Sequence, residues 1–148
     1  MSDTEKVFAS YAQYLKSLKR LTAINKTAVM TALKAAAITT VMVRFDGEGD
    51  SGQIEEINAF QGGRGQPLPE AEVEIKRLNF PSSKRNAQRL PLRDAIEHLC
   101  YDLLATEHDG WENNDGAFGE FTFDVKQRRI ALEFNGRFCD YTTSEHAW

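Results

Sequence analysis

The sequence predicts an α+β domain: N-terminal helices, then an antiparallel sheet of about four or five strands with a helix packed on one face. Three observations carry this expectation. Val7, Phe8, Tyr11, Leu15 and Leu18 recur at helical spacing. From Thr39 the period falls to two, with Val41, Val43 and Phe45 on one side. Near the end, Phe121, Phe123 and Val125 alternate and are answered by Ile130, Leu132 and Phe134. A chain of 148 residues is long enough to enclose one core. We read it as a single domain, residues 1–148, with a helical part at 1–37 and an α+β core at 38–148.

Ser2-Asp3-Thr4-Glu5 is a capping box and opens a helix over 3–19. A second helix is expected from Asn25 or Thr27 to about Ala37, its alanines permitting close packing. Thr39 to Asp46 is the first strand, and Gln53 to Phe60 returns beside it after a glycine-rich loop. Gln61 to Pro67 reads as a flexible loop, Ala71 to Ile75 as a short strand, and Pro81 to Asn86 as an exposed basic loop. Pro91 suits the first turn of a helix whose stripe is Leu92, Ala95, Ile96, Leu99 and Leu103, with Gly110 as the stop. The last hairpin turns through Lys126–Arg129, which sets Glu120 opposite Asn135 and Thr122 opposite Glu133. From Cys139 onward the tail shows no firm period, and no strand is assigned there.

Charged residues at 27% and hydrophobic ones at 41% fit a soluble globular chain. No run of 18 apolar residues exists, so no membrane segment is expected, and the start lacks a secretory signal. Two cysteines, Cys100 and Cys139, fit a reducing, cytoplasmic setting, and a disulfide between them is not expected. The net charge of −4 conceals blocks. Residues 1–40 carry six bases and two acids, and 41–74 carry two bases and eight acids. Residues 75–93 carry six bases and no acid, and 94–148 carry four bases and twelve acids. An acidic face repels nucleic-acid backbone and favours cations or a basic protein partner. A merely solvated surface is the plainer explanation of the same pattern.

The candidate site lies in the two acidic blocks. Gly110-Trp111-Glu112-Asn113-Asn114-Asp115-Gly116-Ala117-Phe118-Gly119-Glu120 crowds acids, amides, aromatics and glycines into one connection. Asp46, Glu48 and Asp50 alternate with glycines ahead of Ser51. Oxygen ligands at alternating positions suit Ca²⁺ or Mg²⁺, with Asp46, Glu48, Asp50 and Glu112 as the metal candidates. The same residues also serve as Asx turns and a solvated hairpin loop. An EF-hand is excluded, because positions six and twelve from Asp46 are Ser51 and Ile57. Gly49-Asp50-Ser51-Gly52 looks like a serine-protease nucleophile loop, but no histidine is placed to activate Ser51. Cys100, Cys139 and the three histidines lack the paired spacing of a zinc site. Lys84, Arg85, Arg89 and Arg93 can take a phosphate or an acidic partner, or simply be solvated.

The pair of loops, Phe45 to Ile54 and Gly110 to Gly116, followed by the hairpin through Asn135, resembles a family of small uncharacterised bacterial proteins. Its members have a Gly-Asp-Ser-Gly loop and a Trp-Glu-Asn-Asn block before a terminal hairpin. The resemblance covers roughly residues 38–60 and 92–146 and implies no activity. It leaves out the N-terminal helices and the basic 75–93 segment.

Two functions follow as expectations. The first is a non-enzymatic binding or inhibitory module that docks a protein through its acidic surface, by analogy with small acidic inhibitors in bacterial defence. Its binding residues are Asp46, Glu48, Asp50, Ser51, Trp111, Glu112, Asn113, Asn114, Asp115 and Glu120. The second is a divalent-cation-dependent enzyme acting on a phosphate-containing substrate. Both expect the 46–52 loop and the 111–120 segment to be neighbours. Trp111 and Phe118 then pin the second loop, and Arg44 or Arg137 is the counter-charge.

Overall fold

The computed structural model describes residues 3–48, 51–79, 84–108, 116–137 and 141–148. Helix α1 spans Asp3–Ala35. Strands β1 (Thr40–Glu48), β2 (Ser51–Gln61), β3 (Arg64–Gln66), β4 (Glu72–Asn79) and β5 (Lys84–Pro91) follow. Helix α2 is Leu92–Glu107, and β6 (Ala117–Asp124), β7 (Arg129–Arg137) and β8 (Tyr141–Ala147) close the chain. Six strands form one antiparallel sheet in the order β3-β2-β1-β6-β7-β8, while β4 and β5 make a separate ribbon.

This corrects the expected fold class, which had two N-terminal helices and a sheet of four or five strands. One 33-residue helix replaces the two, because the residues expected to cap a second helix bond elsewhere. The Thr22 hydroxyl donates to the Lys19 carbonyl at 2.8 Å, and those of Thr27 and Thr31 donate to Ala23 and Thr27. Asn25 is fully buried and turned onto β4, donating to the Lys76 carbonyl at 2.9 Å and accepting from the Lys76 amide at 2.8 Å. Its side chain therefore acts as a stub of neighbouring strand and fixes α1 against the ribbon edge.

The strands that sequence reading missed lack an apolar alternation. Strand β5 begins inside the stretch expected to be a basic loop, Pro81 to Asn86, and runs on to Pro91. Its polar residues pair with β4, Arg89 opposite Glu74 and Gln88 opposite Ile75, and Arg89 also reaches Glu72 at 3.3 Å. Strand β8 is largely polar and is held by its backbone ladder to β7. Trp148 continues that ladder, exchanging amide and carbonyl bonds with Ile130 at 2.8 and 3.0 Å.

The final hairpin is displaced by two residues from the expected register. Glu120 faces Glu133, Thr122 faces Ala131, and Asn135 faces Phe118. The turn begins one residue early because the Asp124 carboxylate accepts the Gln127 amide at 3.1 Å, and Arg128 takes the left-handed conformation with φ 54°. Slippage by two preserves the faces, so Phe121, Phe123, Ile130 and Leu132 stay in the core.

That core joins α1 from Val29 onward, the apolar face of α2 and the inner sheet face, with Val73 and Ile75 from the ribbon. Phe45 stands at its centre, its ring centroid 5.7 Å from Phe121 and 6.2 Å from Phe134. Opposite Phe45 is Gly119, where a Cβ would overlap the Glu133 carbonyl oxygen and come within 2.8 Å of the Phe45 ring. Only glycine fits there.

Candidate functional site

Both helices contribute to the core on one side of the six-stranded sheet. Because side chains alternate, the residues between the core positions point to the other face. These include Arg44 and Asp46 of β1, Phe118 and Glu120 of β6, Glu133 and Asn135 of β7, and Thr143 and Glu145 of β8.

The ladder registers align them into rows that run across the sheet. One row reads Glu56, Arg44, Glu120, Glu133, Glu145, each directly opposite the next. Arg44 and Glu56 form an ion pair at 3.2 Å with both side chains at least half exposed. Among the described residues, Glu120, Glu133 and Glu145 enter no ion pair. Three carboxylates thus stand side by side on adjacent strands, an arrangement that like-charge repulsion disfavours.

The neighbouring row reads Gln53, Asp46, Phe118, Asn135, Thr143. Here Asn135 is buried and held from two sides. It donates to the Phe118 carbonyl at 3.4 Å and accepts from the Thr143 hydroxyl at 2.6 Å. Between these rows lies a shallow depression of about 630 Å³, floored by Phe118 and Gly119 and walled by Asp46, Glu55, Glu120 and Glu133. A second, of about 490 Å³, continues past Glu133 to Glu145, with Arg129 on its rim.

A β-bulge shapes the first depression. The pairing slips between Arg44 and Phe45, leaving Glu55 as the extra residue of β2. The Ile54 amide then donates to the Tyr101 hydroxyl of α2 at 2.8 Å. Burial pushes the Tyr101 phenol pKa up, and the Ile54 amide works against that shift. Tyr101 therefore holds the bulge as a neutral group.

Of the expected binding residues, Asp46 and Glu120 are brought together in this depression. Glu48 and Ser51 face each other where the β1–β2 ladder ends. Asp50, Trp111, Glu112, Asn113, Asn114 and Asp115 lie outside the described residues. Of the two loops expected to meet, only the flanks are described: Asp46 pairs with Phe118 and Gly47 with Ala117, so the end of β1 and the start of β6 share one sheet end. Arg44, one expected counter-charge, is engaged by Glu56. Arg89 and Arg93 of the basic segment pair with Glu72 and Glu97. No group of three or more His, Cys, Asp or Glu able to hold a metal occurs among the described residues. No helix among them is long and apolar enough to cross a membrane. Cys100 is free and buried, and burial raises its pKa well above the ordinary thiol value, which makes it a poor nucleophile.

Sequence reading missed Glu133 and Glu145 as site residues. The alternation of the last hairpin already put Glu133 on the polar face, whereas Glu145 needed a strand in the tail. In the comparisons with known proteins, the profile of a family of unknown function, DUF6878, matches residues 21–148. That span takes in the basic 75–93 segment and the second half of α1, both of which the sequence resemblance had left out. No curated protein and no solved structure matches.

Proposed function

Since the chain belongs to the DUF6878 family, whose function is unknown, its role has to be read from its surface. We propose that it is a non-enzymatic binding module that docks a basic protein partner on the outer face of its sheet. The observation that carries this reading is the run Glu120, Glu133, Glu145 on three adjacent strands. Like charges directly opposite on neighbouring strands disfavour one another, and a basic partner relieves them. A basic groove on the partner, of the kind that otherwise receives nucleic acid, supplies the missing counter-charge. Asp46 and Glu55 extend the same negative face, and the depression beside Phe118 is walled by carboxylates that suit a basic side chain of the partner.

Affinity capture from a lysate of the native host tests this. Wild type retains a partner at low salt and releases it as ionic strength rises. The triple variant Glu120→Lys, Glu133→Lys, Glu145→Lys retains none. A triple variant that keeps every partner of the wild type overturns the proposal.

A further inference from the structure

The end of α2 and strand β8 meet through two histidines. His108 caps α2, its amide donating to the Leu104 carbonyl at 2.7 Å, and its ring stacks parallel on Phe134 with centroids 3.6 Å apart. His146 comes from β8, opposite Leu132, and stacks on Trp148 at 5.8 Å. The two rings meet edge to face, and their Nε2 atoms are 2.8 Å apart. Both residues are only partly buried.

We propose that His108 and His146 form a chelating site for a divalent transition metal, which clips β8 to α2. Imidazole nitrogen is a preferred ligand for copper, nickel and zinc. In the metal-free pair, one Nε2 carries the hydrogen that the other accepts. On binding, that hydrogen moves to Nδ1 of its own ring and the two rings turn, so that both Nε2 lone pairs face the ion with no net proton released. Burial and the nearby His146 lower the His108 pKa, with Glu107 opposing, so the His108 ring stays neutral and able to ligate near neutral pH. The stacks on Phe134 and Trp148 confine both rings beside each other before the ion arrives, which limits the ordering left to be done on binding.

The 2.8 Å between the two Nε2 atoms is the length of the hydrogen bond that joins the metal-free rings, so any ion must open the pair as it enters. Ligand affinity then selects among metals, and the order for imidazole sites favours Cu²⁺ over Ni²⁺ and Zn²⁺, with water in the other positions.

The test uses the untagged chain, titrated calorimetrically with CuSO₄, NiCl₂ and ZnCl₂ near pH 7.5. One ion per chain is expected for Cu²⁺ and Ni²⁺, with Zn²⁺ weaker than Cu²⁺. His108→Ala and His146→Ala should each weaken binding on the order of tenfold or more, a loss that even the supporting partners of a ligand can bring. His98→Ala should not. Because either variant can disturb folding, Cu²⁺ is also added to ¹⁵N-labelled wild type. Paramagnetic broadening centred on residues 106–108 and 144–148 supports the site. Broadening centred on Asp46 and Glu120, or no broadening at equimolar Cu²⁺, overturns it.

Discussion

Replacing Glu133 by Gln should make the protein more stable, by an amount that salt erases. Glu133 stands directly between Glu120 and Glu145. Opposed Cβ atoms on neighbouring strands are about 5 Å apart, and the carboxylates splay to about 6 Å. In water a like-charge pair at about 6 Å costs about 0.7 kcal/mol, so the two pairs cost about 1.4 kcal/mol before screening. Screening over Debye lengths of about 30, 8 and 3 Å leaves about 1.1, 0.6 and 0.2 kcal/mol at about 0.01, 0.15 and 1 M salt. Gln keeps the shape and hydrogen-bonding reach of the side chain, so little else changes. Urea unfolding at the three ionic strengths should show this decline, with a Tm rise of about 3 °C at the lowest. Glu70→Gln, on a loop away from the row, should show no such gain. A variant no more stable than wild type at low salt, or one whose gain ignores salt, refutes the idea that the carboxylates strain one another. The surface would then lose the feature that marks it as functional.

Three further outcomes are expected. Asn25→Leu leaves the Lys76 amide and carbonyl without their buried partner, and should lower stability by about 2–4 kcal/mol in urea unfolding. Gly119→Ala drives a methyl into the Glu133 carbonyl and the Phe45 ring, and should cost about 2–3 kcal/mol on the same measurement while shifting NMR signals across the bulge. His108 is held below its ordinary pKa by burial and by His146, so an unfolded chain binds a proton more readily than the folded one. Its contribution is therefore present above about pH 6.5 and is lost as pH falls from there towards the folded value, a decline that His108→Asn should reduce in melts from pH 7.5 to 5.5.

Elements with apolar alternation or a helical stripe could be read from the sequence. Val41, Val43 and Phe45 marked β1, Phe121 to Phe134 marked the last hairpin, and the Leu92–Leu103 stripe marked α2. Elements held by backbone pairing were invisible. β5 and β8 carry polar residues whose order in space is set by β4 and β7. The continuity of α1 was hidden for a related reason. Asn25 looks like a cap in sequence, and only its partner fifty-one residues away shows that it is a clamp. The proposed docking face could be anticipated from the sequence only as an acidic surface. Charge blocks pointed to Asp46 and Glu120, yet a row of carboxylates exists only once the register of five strands is known. A slip of two residues was enough to put Glu133, in place of Asn135, opposite Glu120.

The docking face itself is tested most directly by zero-length carbodiimide cross-linking of the captured complex, which joins carboxylates to partner lysines in contact with them. The account predicts that peptides carrying Glu120, Glu133 or Glu145 are linked to lysines of the partner. Links from Glu70, Glu72 or Glu97 with none from the row would contradict it.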